Sequence, residues 1–286
     1  MILNLLKDVW PKIILPPDFN GKEFLRILLN PKFSKNDALK WTEERIPFTL
    51  QIAILYLIAI FGIQRIMKNY TPFKLTIPLA IWNLTLTVYS VISVYHLSSD
   101  FFKNVGKFGI RKSWCVLGNY YDSENTGYYV WLFAVSKLFE LIDTIFIVLR
   151  KKPLRFIHWY HHIVTLTFTF FIYIEMPAFS RWGFLLNSFV HSIMYFYYFV
   201  KCLTIRIPKF ISIIITSSQI AQFAIGFCGL INVAYIHHYT NMFCHTTTSI
   251  LSLTLFMDFT YLLLFVNFFI QTYFKNTVMT RKKKQH

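Results

Sequence analysis

Residues 48–67 read FTLQIAILYLIAIFGIQRIM, a run of twenty residues whose only charged side chain, Arg65, lies near its end. At ~1.5 Å per residue, a helix of this length crosses the ~30 Å hydrocarbon core of a bilayer. Six more stretches of comparable length and apolarity lie near 75–97, 128–149, 156–176, 182–200, 210–233 and 248–272. The sequence therefore predicts an all-α integral membrane protein with seven transmembrane helices.

Composition and charge agree with this class. The 286 residues are 55% hydrophobic and only 15% charged, which excludes an ordinary soluble domain. Loops 65–74, 150–155 and 201–209, together with the tail from 275, contain fifteen Lys and Arg residues and no Asp or Glu. The positive-inside rule then predicts that these segments are cytoplasmic and that the N-terminus is lumenal. The formal net charge of +16 is thus read as topology and anionic lipid contact, with no nucleic acid partner.

The chain divides into three predicted regions: a lumenal N-terminal segment 1–47, a transmembrane domain 48–272 and a basic cytoplasmic tail 273–286. In the tail, Lys283 and Lys284 are the fourth and third residues from the end of the sequence, which resembles a dilysine signal for retrieval to the endoplasmic reticulum. Cys115 and Cys244 both fall in loops predicted to face the lumen, where oxidation is permitted. We therefore expect a disulfide between them.

The sequence HWYHH at 158–162 places three histidines near the mouth of the fourth span. His158, His161 and His162 are spaced i, i+3, i+4, so they share one face of a helix. Ionisable side chains are costly inside a bilayer, so such a cluster indicates a functional site.

Polar side chains on three other spans fall at a similar depth. Counting ~1.5 Å per residue from the basic helix ends places most of them within roughly 9–20 Å of the cytoplasmic side. They are Lys137, Glu140 and Asp143 on the third span, Asn187, His191, Tyr195 and Tyr198 on the fifth, and Gln219 and Gln222 on the sixth. Lys137 and Glu140 fit either an internal ion pair or a catalytic role, and the Asn/Tyr stripe also fits interhelical hydrogen bonding. Asp258 is expected outside this layer, as a structural or lumenal residue.

Two chemistries use clustered histidines: metal binding and acid–base or nucleophilic catalysis by imidazole. Of nine histidines, only His158, His161, His162 and His191 fall on the cytoplasmic half of the spans; the rest are lumenal (His96, His237, His238 and His245) or in the tail (His286). Four ligands are too few for a membrane di-iron centre, although one metal ion remains conceivable. We therefore predict no metal and keep a metal-dependent fatty acyl desaturase or hydroxylase as the alternative. A non-enzymatic receptor or transporter is a third, weaker hypothesis.

A basic run follows the third span directly: Arg150, Lys151, Lys152 and Arg155. It fits either an ordinary membrane flank or a binding site for the phosphates of coenzyme A.

Four ordered motifs resemble the ELO family of fatty acid elongases. They are Lys137-x-x-Glu140-x-x-Asp143-Thr144, the histidine box, Asn187-x-x-x-His191 with Tyr195 and Tyr198, and Thr216-x-x-Gln219-x-x-Gln222. The runs at 36–41 and 82–87 are similar to the branch that elongates saturated or monounsaturated palmitoyl-type chains.

The resemblance implies a membrane condensing enzyme of the endoplasmic reticulum, an acyltransferase. It would join malonyl-CoA to a long-chain acyl-CoA, releasing carbon dioxide and coenzyme A, with no cofactor and with other elongation-cycle enzymes as partners. It also implies that helices 2–7 enclose an acyl tunnel closed at the lumenal end. His161 would take the acyl chain, and His191 would act on malonyl. His158 and His162 would set the geometry, and Asp143 would orient an imidazole.

Overall fold

The computed structural model describes residues 21–275, and within that range the chain is helical with no β-strand. The α-helices are α1 (Gly21–Leu29), α2 (Lys35–Glu44), α3 (Ile46–Ile66), α4 (Thr76–Ser113), α5 (Glu124–Glu140), α6 (Ile142–Leu149), α7 (Phe156–Glu175), α8 (Ser180–Cys202), α9 (Lys209–Tyr239) and α10 (Thr248–Phe269). A short 3₁₀ turn (Met67–Asn69) follows α3, and a π-helical turn (Ile270–Lys275) follows α10. The predicted all-α class is confirmed.

Four helical segments in the described range are long and apolar enough to cross a membrane: Ile46–Asn69, Thr76–Ser113, Lys209–Tyr239 and Thr248–Phe274. They make this a multi-pass membrane protein. The helices between them, α5 to α8, carry the buried Lys137–Glu140 pair and the four histidines described below.

Loop contacts define two ends of the bundle. At the basic end, the Phe73 amide donates to the Leu149 carbonyl (3.1 Å), and Arg155 donates to Thr272 Oγ1 (3.3 Å). At the opposite end, called here the disulfide end, Cys115 and Cys244 form a disulfide. Consecutive helices from α3 to α10 alternate in direction between these ends, with α5 and α6 together making one passage.

Arg181 holds the disulfide end together. Its guanidinium is fully buried, pairs with Asp100 (2.6 Å) and donates to the carbonyls of Val116 (2.8 Å) and Leu117. These bonds attach the loop after α4 to the first turn of α8. A buried cation needs such partners because desolvation without them is costly.

Some helix boundaries differ from the sequence prediction. The apolar stretch predicted to end at 97 continues as helix to Ser113, with a kink at Gly109 (φ 75°). The extension is stabilised by packing on α8, where the Phe101 and Trp182 rings lie 4.6 Å apart. The stretch 128–149 is interrupted at Leu141, which separates α5 from α6.

The N-terminal helices pack against the bundle. Rings of Phe24 on α1 and Trp41 on α2 lie 5.4 Å apart, and Trp41 contacts Trp131 of α5 (5.7 Å) and Phe170 of α7 (6.3 Å). Residues 21–44 of the predicted N-terminal segment therefore share the core of the transmembrane helices. Residues 1–20 and the tail beyond 275, including Lys283 and Lys284, lie outside the described residues.

Candidate active site

The three box histidines project from one face of the first turns of α7. The rings of His158 and His162 lie 4.4 Å apart, and those of His161 and His162 lie 5.9 Å apart. His158 Nε2 is 2.9 Å from Thr144 Oγ1, which in turn lies 2.5 Å from the Tyr56 hydroxyl. This chain of hydrogen bonds joins α3, α6 and α7 and fixes the orientation of His158.

His161 occupies a different environment, among aromatic rings. Its ring centroid is 4.6 Å from Tyr261 and 6.3 Å from Phe223. The Tyr261 hydroxyl shares a hydrogen bond with Thr165 (2.8 Å) and donates to the His161 carbonyl (3.3 Å), which ties α10 to this turn of α7. The Nδ1 atom of His161 is buried and has no hydrogen-bond partner within residues 21–275.

A second polar group joins α5 to α8. Lys137 Nζ lies 2.7 Å from Glu140 Oε1 and 3.1 Å from Asn187 Oδ1. His191 places Nδ1 3.7 Å from the same carboxylate oxygen and Nε2 3.3 Å from the Asn187 amide. All four residues are buried, so the expected ion pair is present and is also in contact with a site histidine.

Asp143, just past the break at Leu141, accepts two hydrogen bonds in a half-buried position. Trp82 Nε1 donates to Oδ1 (2.6 Å) and the Tyr195 hydroxyl donates to Oδ2 (2.8 Å). The carboxylate thus links α4, α6 and α8. Its described partners are an indole and a phenol, so an orienting role toward an imidazole stays a prediction.

The remaining residues of the predicted polar layer separate in space. Gln219 donates to Met194 Sδ (3.3 Å), and Gln222 lines the cavity described below. Tyr198 lies on the outer surface with 47% of its area exposed.

The predicted coenzyme A ligands lie in the loop between α6 and α7. Lys151 donates to the Tyr70 carbonyl (3.0 Å), and the Arg155 guanidinium stacks 4.7 Å from the Phe268 ring centroid. Lys152 is exposed and Arg150 half-buried. The loop leads directly into α7, so its positive charge stands beside the histidine box.

A largely apolar cavity of about 100 Å³ extends from His161 toward the disulfide end. Aromatic and aliphatic side chains of α5 and α7–α10 form most of its wall, and Trp114 and Phe179 line its part nearest the disulfide. Asp258 also lines this cavity, a position that the sequence did not indicate. Depth was counted from Lys275, whereas the rotation of α10 turns Asp258 toward the same space as His161.

Sequence reasoning did not predict that Trp82, Tyr56 and Tyr261 contact residues of the site. A signal existed for the last of these. Thr254, Asp258 and Tyr261 follow each other at i, i+4 and i+7, which places them on one face of a mostly apolar helix. Nothing in the apolar α3 stretch singles out Tyr56 as a hydrogen-bond partner.

No group of three or more His, Cys, Asp or Glu side chains within residues 21–275 is arranged to hold a metal ion. Three of the histidines instead contact different groups: His158 contacts Thr144, His161 packs among aromatic rings, and His191 contacts Glu140 and Asn187. The geometry therefore provides hydrogen-bonded imidazoles next to an apolar cavity.

Fold and site together define a multi-pass helical membrane protein with a buried histidine–carboxylate layer opening onto an apolar cavity. The model of the ELO (GNS1/SUR4) family matches residues 41–285, and the chain belongs to that family. It is 44% identical over 262 residues to long chain fatty acid elongase 1 of Caenorhabditis elegans, covering 91% of each chain. It is 39% identical to very long chain fatty acid elongase 6 of Drosophila melanogaster over 237 residues, 82% of this chain and 74% of the relative. With human very long chain fatty acid elongase 6 it shares 32% over 258 residues, 88% and 94% of the two chains.

Proposed function

We propose that this protein is the condensing enzyme of fatty acid elongation, an acyltransferase that joins malonyl-CoA to a long-chain acyl-CoA. The observation that carries the proposal is the position of His161, where a buried polar layer meets an apolar cavity. The names of the family relatives support elongation over desaturation or hydroxylation.

The first step is acyl transfer to His161. A ring nitrogen of the neutral imidazole attacks the thioester carbonyl, the carbon–sulfur bond breaks, and the thiolate leaves. The proton lost from the other ring nitrogen goes to the thiolate, so the products are a neutral acyl-imidazole and free coenzyme A. The aromatic packing of Tyr261 and Phe223 holds the ring at the cavity mouth, and the carboxyl-proximal part of the acyl chain enters the cavity.

The second step is decarboxylative condensation. Malonyl-CoA loses carbon dioxide, and the resulting enolate attacks the acyl carbonyl; a carbon–carbon bond forms while the bond to His161 breaks. One proton is taken up to restore the neutral imidazole. His191 and the Lys137–Glu140–Asn187 group supply donors that are already in place where the enolate charge develops, which is how such a site lowers the barrier. His158 and His162 set the geometry of this turn.

We extend the proposal to topology and location. Helices α3 to α10 would form seven spans, with α5 and α6 sharing one and α3 outside a tunnel enclosed by the others and closed at the disulfide end. The basic end would face the cytoplasm, where Arg150, Lys151, Lys152 and Arg155 would bind coenzyme A phosphates, and the N-terminus the lumen of the endoplasmic reticulum. No metal or redox cofactor takes part, and the other enzymes of the elongation cycle act on the product.

Intact-mass analysis of the purified protein after exposure to acyl-CoA alone tests the covalent step. We expect a gain of one acyl mass in the wild type, none in His161→Ala and the wild-type gain in His238→Ala, an exposed histidine near the disulfide end. An unchanged wild-type mass under turnover conditions would disprove the nucleophile. Failure to make a longer 3-ketoacyl-CoA from palmitoyl-CoA and malonyl-CoA would disprove the overall reaction.

A further inference from the structure

Asp258 is a buried carboxyl group without a hydrogen-bond partner. Its exposed fraction is 8%, and no hydrogen bond or ion pair joins it to another residue between 21 and 275. Its Oδ2 atom lies against Gly226 of α9, where even a methyl side chain would collide with the carboxylate. The glycine therefore leaves the room that the carboxyl group occupies between α9 and α10.

The hydroxyl groups of two nearby threonines donate to carbonyl groups of their own helices. Thr254 Oγ1 donates to the Ile250 carbonyl (2.6 Å) and Thr169 Oγ1 to the Leu166 carbonyl (3.1 Å). Among residues that line the cavity, the described structure leaves two buried polar side-chain atoms unpartnered: His161 Nδ1 and Asp258 Oδ2. The first belongs to the proposed nucleophile. The second has no role in the reaction described above.

An unsubstituted acyl chain cannot satisfy Asp258. Methylene groups would displace water from the cavity and leave a buried acceptor unpaired, which is unfavourable. A hydroxyl group on the chain would donate to the carboxyl oxygen, which keeps acceptor capacity whether or not the group is ionised.

The position of Asp258 relative to His161 indicates which part of the acyl chain would lie beside the carboxyl group. Tyr261 contacts the His161 ring, and Asp258 lies three residues earlier on α10, about 4.5 Å nearer the disulfide end. Gly226 lies three residues past Phe223, another neighbour of His161, on the antiparallel α9. Both helices therefore place the carboxyl group about one helical turn beyond the proposed nucleophile.

We propose that Asp258 is a binding site for a hydroxyl group on the acyl substrate, which makes hydroxyacyl-CoAs substituted in the carboxyl-proximal half of the chain preferred substrates. This inference rests on the proposed condensation, in which the acyl chain occupies this cavity.

The test compares palmitoyl-CoA with its monohydroxy positional isomers as substrates of the full-length enzyme, with malonyl-CoA present. The readout is the ratio of kcat/KM for each isomer to that for palmitoyl-CoA. We expect a ratio of about five to a hundred for isomers substituted near the carboxyl end, and no preference for the terminal isomer. Asp258→Leu should bring the preferred ratio to one or below, whereas Asp258→Asn, which keeps an acceptor oxygen, should retain most of it.

Glu124→Leu, at an exposed acid near the disulfide end, is the control and should keep the wild-type ratio. A wild type that extends palmitoyl-CoA but prefers no hydroxy isomer would overturn this inference alone, without reference to any variant. An Asp258→Leu enzyme that keeps the preference would also overturn it. A wild type that extends neither class of substrate would overturn the condensation itself.

Discussion

Breaking the Lys137–Glu140 pair by one substitution should destabilise the protein more than removing both charges. In Lys137→Met, the Glu140 carboxylate keeps only Ser136 Oγ at 3.3 Å and His191 Nδ1 at 3.7 Å. In Glu140→Leu, the ammonium group keeps the Asn187 oxygen and the Phe133 ring, 4.3 Å from its centroid. Each single variant therefore leaves one charge uncompensated in the bundle.

The burial of the pair sets the size of the effect. The side chains of Lys137 and Glu140 are 3% and 6% exposed, so solvent can replace neither partner. Removing one member of such a pair costs about 3–5 kcal/mol, whereas exchanging both for apolar side chains is often close to neutral. Converted at roughly 2–4 °C per kcal/mol, each single variant should lower Tm by about 6–20 °C. The double variant Lys137→Met/Glu140→Leu should recover most of that loss.

The assay is thermal unfolding of detergent-purified protein, combined with the condensation rate. Lys103→Met, at an exposed lysine of α4, is the matched control and should change neither. We expect the double variant to be stable but inactive, because His191 and Asn187 lose the partners that position them. A Tm for Lys137→Met within ~2 °C of wild type, at most the shift for about 1 kcal/mol, would refute the argument about buried charge. A stable and active double variant would refute the catalytic role and leave the pair purely structural.

Three further predictions follow from the same contacts. Cys115→Ser should lower the free energy of unfolding by about 2–5 kcal/mol, and a reducing agent should lower the Tm of wild type but not of this variant. Cys228→Ser, at an exposed thiol, is the control, and an equal Tm for both variants would contradict the prediction. Leu186→Trp, at a half-buried residue that lines the cavity, should fill part of it and shift kcat/KM toward shorter acyl-CoAs by ~0.8 kcal/mol per methylene excluded. Leu55→Trp, at an exposed leucine of α3, is the control, and an unchanged chain-length profile would count against a cavity that holds the chain. Trp82→Phe removes the indole donor of the half-buried Asp143 carboxylate and should lower the free energy of unfolding by about 1.5–3 kcal/mol. An unchanged Tm would mean that this bond contributes nothing.

The sequence was a better guide to the depth of the polar residues along their helices than to the contacts between them. Helical rise is constant and the basic residues mark the helix ends, so counting placed His161, His191 and Glu140 in one region. Rotation about each helix axis depends on packing against neighbours, and it decides the contacts. Asp143 thus meets Trp82 and Tyr195, and Tyr198 faces outward.

The break at Leu141 shows a second limit of sequence reasoning. An apolar stretch with the length of a span reads as one continuous helix, and no proline or glycine lies between 128 and 149. In the structure the Glu140 carboxylate, before the break, contacts the partners on α8, and Asp143, after it, reaches Trp82 on α4. Tertiary hydrogen bonds on either side accompany an interruption that local propensity does not predict.

The hydrogen-bond network distinguishes His161 from His158 and His191 without reference to any relative. His158 is paired with Thr144, and His191 lies between Glu140 and Asn187, so their ring nitrogens are engaged in orienting contacts. His161 alone among these three has a buried ring nitrogen without a partner in the described residues, and it faces the cavity. A nucleophile needs a free lone pair next to the space that the substrate fills. The same criterion, an unpartnered polar atom bordering that space, selects Asp258 as the second place where the substrate must supply a polar group.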